Sequence, residues 1–239
     1  MIPGILDAAF ATTHWSVVLA AAGEATPAAR QAWEHLARSC WQPLYVHARR
    51  HGRNHEDAQD VVQAFFKRLL ERPVLRAAQR ERGRFRTFLL SSFDHFLAND
   101  YDRTMALKRG GGLRFEPLHE VDAPFEPASA DVPQEQQFDT EFARGIFERA
   151  LQRLEGEFDV DGKSSQFTAL APLLCRPPEP GEYERLAQVL GIRPGLMATA
   201  TLRLRRRYYE LIRAEVAAVV ATPAELNEEL SYLVGLLSR

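Results

Sequence analysis

Apolar side chains return at three- and four-residue intervals along nearly the whole chain, and this spacing limits its fold more than any single motif does. A stripe at i, i+3, i+4 and i+7 is buried as one face only when the backbone is helical. The alternating Val, Ile and Thr runs with two-residue Asn-Gly turns that announce a sheet are missing. The chain is therefore expected to be all-α. Its 239 residues, 46% of them hydrophobic and 26% charged, suffice for one large domain or two ordinary ones, each with a core.

A first helix is expected from Ala28 to about His51, with Trp33, Leu36, Ala37, Cys40, Trp41 and Leu44 on its apolar side and Pro43 as a point of kinking or division. In NHEDAQDVVQAFFKRLLER, Asn54 is positioned as an N-cap, Glu56 and Asp57 fall in the first turn, and Lys67 and Arg68 come late. That charge order suits the helix dipole. Pro73 closes the segment. RGRFRTFLLSSFDHFLAND then sets Phe85, Phe88, Leu89, Phe93, Phe96 and Leu97 on one stripe, so these two helices are expected to pack together.

Between residues 110 and 137 the period fails in a stretch rich in Gly, Pro and acidic residues, which reads as a flexible linker. Periodicity returns with FDTEFARGIFERALQRLEGEF, breaks at DVDGKSS, resumes through Leu174 and breaks again at RPPEPGE. After Ala221 a last helix is expected. Thr222, Pro223 and Glu225 stand in a capping-box arrangement, and Leu226, Leu230, Leu233 and Leu237 form its apolar stripe. Such a helix must dock, either packing beside a helix-turn-helix or covering it.

No apolar run is long enough to cross a bilayer, and MIPGILDAAFATTHW lacks the basic start of a secretory signal, so the expectation is a cytoplasmic protein without a membrane partner. Cys40 and Cys175 lie far apart and neither belongs to a Cys-x-x-Cys pair, which excludes a readable disulfide framework or thiolate zinc site. A formal net charge of -2 withholds the overall basicity of many nucleic-acid binders. Any surface for a polyanion must then be local.

One local concentration exists. Arg203, Arg205, Arg206 and Arg207 crowd into LRLRRRYYELIRAEV, just beyond a stretch with the pattern of a helix-turn-helix, YERLAQVLGIRPGLMATATL at 183–202. There Leu186, Ala187 and Leu190 face inward from the first helix, Gly191 takes the left-handed turn, and Ile192 fills the corner. Pro194 suits the first turn of the second helix, from which Met197 and Ala200 face back. That second helix would enter the major groove. Leu204, Tyr208, Leu211, Ile212 and Val216 continue it as a buried stripe, leaving Arg203, Arg206 and Arg207 off the stripe. A run of charge is often no more than a solvated face. Beside a helix-turn-helix, however, such arginines can grip phosphates without reading sequence.

Three further patterns point to no chemistry. His47, His51 and His55 recur at helical spacing beside Glu56 and Asp57, but Gly52 and the Asn54 cap interrupt the helix that would align them, and Arg49, Arg50 and Arg53 would repel a cation. Gly162-Lys163-Ser164 ends like a phosphate-binding loop, with Gly156 one residue too far back and no preceding strand. Asp159-Val160-Asp161-Gly162 begins like a calcium loop and lacks its closing Glu. No Ser/His/Asp or Cys/His set carries a supporting motif, so neither an enzyme, a metal nor a cofactor is expected.

In order, these segments resemble bacterial RNA polymerase sigma factors of the extracytoplasmic-function (ECF) type. HEDAQDVVQAFFKRLLER resembles the helix that binds the polymerase clamp, which implies contacts from Asp57, Asp60, Gln63 and Phe66. RGRFRTFLLSSFDHFLANDYDRTMALKRGGG is similar to the melting and -10 recognition segment, which implies single-stranded DNA contacts from Tyr101, Arg103, Lys108 and Arg109. Phe88, Phe93 and Phe96 are read as core. FATTHWSVVLAAAG, KRGGG and RLRRRYYELIRAEVA resemble one ECF-like subgroup.

The resemblance implies two small helical domains. A sigma region 2-like domain would cover residues 1–109, a linker 110–137, a sigma region 4-like helix-turn-helix domain for the -35 element 138–221, and a C-terminal helix 222–239. Duplex contacts would come from Arg193, Thr199, Arg203, Arg206 and Arg207. The implied partners are core RNA polymerase and promoter DNA, double-stranded at -35 and single-stranded at -10, and an anti-sigma factor is admitted without being required. One departure concerns readout: where the family has Lys and His on the outward face of the recognition helix, this chain has Ala198 and Leu202. Few groups remain there for base edges. The alternatives are a diverged sigma-like DNA-binding module that does not direct polymerase, and a histidine-dependent metalloenzyme.

Overall fold

A computed structural model describes residues 27–71, 85–109, 133–220 and 223–238. Among them are eight α-helices, two short 3-10 helices and no strand, in agreement with the all-α expectation. The α-helices run α1 Pro27–Arg50, α2 His55–Glu71, α3 Phe85–Arg109, α4 Gln134–Val160, α5 Ser164–Leu170, α6 Glu182–Leu190, α7 Met197–Ala217 and α8 Pro223–Leu237. The 3-10 turns are Ala171–Leu174 and Pro194–Leu196. Pro73, Thr222 and residues 110–132 of the expected linker lie outside the described residues.

The helices fall into two compact units. Residues 1–145 and 217–239 form the first, and 146–216 the second. The division thus falls within α4, at Gly145 and Ile146, rather than at the sequence boundary of 137 and 138. Helix α4 already begins at Gln134, and Phe138 and Phe142 near its start are buried with the first unit. The polar and acidic QEQQ that masks this start exposes its charge along one side of a helix whose other side carries those phenylalanines.

In the first unit, α1 passes through Pro43 as one undivided helix. The turn that ends it contains Gly52, whose φ of 79° is the left-handed conformation that glycine reaches without a Cβ penalty. Asn54 caps α2 as its spacing requires, its Oδ1 accepting from the Asp57 amide at 2.8 Å. The expected packing of α2 on α3 is present: the Phe65 ring lies 4.9 Å from Phe93 and 5.6 Å from Phe96, centroid to centroid. Leu89, Phe93 and Leu97 are buried.

Helix α8 belongs to this first unit, which decides where the C-terminal stripe docks. Leu226, Leu230 and Leu233 are buried, while Leu237 is exposed. Polar anchors accompany them. Arg86 of α3, itself buried, bonds Glu229 of α8 and stands 2.8 Å from Asp139 of α4. Its guanidinium also lies over the Tyr232 ring, 4.4 Å from the centroid, and the Tyr232 hydroxyl donates to Asp139 at 2.6 Å. Burial, followed by that bond to a carboxylate, pushes the Tyr232 hydroxyl up to about 12.

The second unit buries Ile146, Ala150 and Leu154 of α4 with Phe167, Leu170, Leu173, Ala187, Met197, Leu204, Leu211 and Ile212. Glu215 is a buried charge within it and is held by Arg149 at 3.1 Å and Arg153 at 2.8 Å. A carboxylate so placed is tolerable only because both partners reach it.

Candidate nucleic-acid interface

The break RPPEPGE ends in a built helix start. Glu182 at the head of α6 accepts both Nη atoms of Arg176, at 2.8 and 2.6 Å, and the Glu179 amide at 2.8 Å. The Arg176 bonds, then the amide, hold this carboxyl down at about 2. At the other end Gly191 adopts φ 65°, and the Ile192 amide donates to Ala187 O at 3.0 Å, the closing bond of a Schellman turn. Arg193 is extended, as the residue before a proline must be, and Pro194 opens the 3-10 turn that leads into α7. Helix, turn and second helix therefore stand where the pattern at 183–202 put them, with Ala187 and Met197 buried.

The outward side of this arrangement presents Arg193, Ala198, Thr199, Leu202, Arg203 and Arg206, all exposed. Leu202 is 68% exposed, and Leu196 and Val189, not singled out by the sequence reading, are 55% and 79% exposed. The face is more apolar than one built to pair with base edges. A signal for Leu196 existed in its place two residues past Pro194, in the turn itself.

The four clustered arginines divide into separate tasks. Arg205 is directed inward: its Nε donates to Leu173 O at 2.8 Å and its Nη2 to Arg176 O at 2.6 Å. It ties α7 to the carbonyls of the preceding turns. Arg207 grips Glu157 of α4 with two bonds, 2.8 and 2.6 Å, and reaches Glu210 at 3.1 Å. These carboxylates raise its pKa further, and the same pair lowers that of Glu157. Arg207, expected to contact DNA, is thus paired within its own unit, though its side chain stays 46% exposed. Its position off the apolar stripe is as expected, but α4 occupies the neighbouring space. Arg206 holds only Glu210, one turn on, at 3.2 Å in an exposed pair. Such pairs are worth about 0.3–0.5 kcal/mol and break readily. Arg203 and Arg206 are both exposed, and Arg206 is the most open of the paired arginines, its side chain 81% exposed.

In the first unit, Asp57, Asp60 and Gln63 are exposed along α2. Phe66 is not: it is 8% exposed, stacked on Trp41 at 6.1 Å and edge-on to Trp33 at 5.9 Å. The geometry of the helix explains this placement. Each step of three residues lags a full turn by about 60°, so three steps from Asp57 bring Phe66 to the opposite side. There it joins the stripe of Ala58, Val62 and Leu69.

Tyr101 is 54% exposed on α3. Arg103, Lys108 and Arg109 continue the same helix, and their side chains lie outside the described residues. No protein-family model, curated protein or solved structure matches the chain. Among the described residues no helix is long and apolar enough to cross a membrane.

Proposed function

We propose that this chain is a sigma factor: it brings core RNA polymerase to promoter DNA and assists strand opening, leaving chemistry to the polymerase. The observation that carries this reading is the helix-turn-helix at 182–217, with Arg193, Thr199, Arg203 and Arg206 exposed beside its second helix. The exposed guanidinium groups of Arg203 and Arg206, next to a groove-sized helix, supply phosphate contacts. The polar side of α2, with Asp57, Asp60 and Gln63, supplies the polymerase contact, and Tyr101 supplies a stacking platform for an unpaired base. An apolar recognition face with Ala198 and Leu202 goes with weak discrimination at the -35 element.

The burial of Phe66 favours a second reading, since it removes one of the four residues on which polymerase binding was expected. In that reading the chain is a diverged DNA-binding module or transcriptional regulator that does not direct polymerase. Open-complex formation and transcript mapping on genomic fragments, using core polymerase with and without the protein, separates the two. Starts that depend on the protein and share upstream elements support the sigma factor. Duplex binding without core polymerase binding or stimulation selects the regulator.

A further inference from the structure

The C-terminal end of α1, the turn that follows it and the middle of α3 bring two imidazoles and a carboxylate together. His47 and His51 lie one turn apart with ring centroids 4.3 Å from each other. Asp94 stands opposite, its Oδ1 2.6 Å from His47 Nε2. One ligating atom from each of the three lies within 4.8 Å of the other two. The triple suggested by spacing does not form: His55 opens α2 and its Nδ1 meets the Tyr45 hydroxyl at 2.7 Å. The third group comes instead from a residue 47 positions beyond His47.

We propose that His47, His51 and Asp94 form a binding site for one divalent transition-metal ion, of which zinc and cobalt(II) are the type. Two imidazoles and a carboxylate are a donor set such ions accept, and three protein ligands leave a position for water. His51 Nδ1 lies 2.9 Å from His47 O, the distance of a ring N–H donated to a backbone carbonyl. That bond fixes the tautomer, leaves Nε2 with its lone pair, and sets the ring plane, as the outer contacts of metal-ligating histidines do. His47 is buried, with the Phe93 and Phe138 rings 6.0 and 6.2 Å away. It forms the buried floor of the site, while exposed His51 and Asp94 leave a path for entry.

Without an ion, one proton lies between His47 Nε2 and Asp94 Oδ1. On binding, the neutral ring takes the tautomer with its proton on Nδ1, which frees the Nε2 lone pair, and the two atoms part from 2.6 Å to make room for bonds of about 2.0–2.2 Å to the ion. The neighbouring positive charge that argued against a cation is partly met, because Arg53 pairs with Asp100 at 2.8 Å and Arg50 with Glu141 at 3.9 Å. An ion here would tie α1 to α3. Nothing in the site requires the sigma-factor reading.

The test uses the untagged full chain, stripped with chelator and dialysed. Cobalt(II) chloride is titrated by visible absorption and zinc chloride by calorimetry, with thermal unfolding recorded in saturating zinc. One ion per chain, a ligand-field band and a raised Tm are expected. His51→Ala and Asp94→Asn, both at exposed positions, should each weaken binding by more than about 10-fold, the least that losing even an outer contact of a metal site costs. His55→Ala and His95→Ala, which change exposed histidines outside the cluster, should bind as the parent does. Failure of the parent chain to bind one equivalent overturns the site. So does binding that survives both His51→Ala and Asp94→Asn, or that falls equally in the His55 and His95 controls.

Discussion

Replacing Arg205 with alanine, beside the same replacement at Arg203, distinguishes an arginine that holds the fold from one that can hold a polyanion. The two residues lie two positions apart on α7 and carry the same charge. Arg205 donates two hydrogen bonds, to Leu173 O and Arg176 O. Bonds from a charged donor contribute about 1.5–3 kcal/mol each, and water can replace part of them because Arg205 is only half-buried, leaving an expected loss of about 2–3 kcal/mol. At a slope near 2 kcal/mol per molar urea, the unfolding midpoint of Arg205→Ala should fall by about 1 M. Arg203→Ala, at an exposed position, should stay within about 0.5 kcal/mol of the parent. Binding to duplex DNA should show the reverse. Fluorescence anisotropy across a salt series should give Arg203→Ala a slope of log K against log salt shallower by about 0.9, one phosphate contact, and leave that of Arg205→Ala unchanged under conditions where it is folded. A flattened salt slope for Arg205→Ala with an unmoved urea midpoint would refute the division of tasks.

Further outcomes are expected. Arg86→Met strands Asp139 and Glu229 without their shared cation, so urea unfolding should show a loss of about 3–5 kcal/mol; a loss under about 1 kcal/mol would mean that the buried cluster contributes little. Phe66→Ala should cost about 3–5 kcal/mol in unfolding. Asp60→Ala should leave stability within about 0.5 kcal/mol and lower affinity for core polymerase, and the opposite assignment would restore Phe66 to the surface. Tyr208 and Tyr232 are pushed up to about 12, chiefly by burial, against 10 for the free side chain. Their burial therefore stabilises the fold fully below pH 10, and that contribution is lost as pH rises towards 12. A spectrophotometric titration should find two of the six tyrosines ionising late, with unfolding in the same window, and six coincident titrations near pH 10 would contradict it. Asn54→Ala should destabilise α2 by about 1 kcal/mol, read as a lowered Tm.

What could be read in the sequence was local. Gly191 and Pro194 mark a turn whose chemistry few other residues satisfy, and Asn54 is a cap three residues ahead of the amide it binds. Leu204, Leu211 and Ile212 share a face because helical geometry requires it. What escaped depended on distance along the chain. An arginine at the margin of a helix can point to solvent or to a carbonyl 32 residues earlier, as Arg205 does, and both choices look alike in sequence. Phe66 was assigned by its place in a family signature, although the 3.6-residue period alone puts it with Val62 and Leu69. The pairing of Arg86 with Glu229 spans 143 positions, and the carboxylate beside His47 lies on another helix. No spacing rule reaches across such intervals.

Because the first unit takes its residues from both sides of the second, the order of synthesis differs from the order of completion. Arg86 and Asp139 leave the ribosome together with most of their unit, but Glu229 follows only after all of 146–216 has been made. At ordinary elongation rates that interval is roughly 5–20 s, long compared with helix formation or the collapse of a small domain. The second unit, continuous in sequence, has time to assemble within it. The unit whose translation begins first is consequently the one that is finished last.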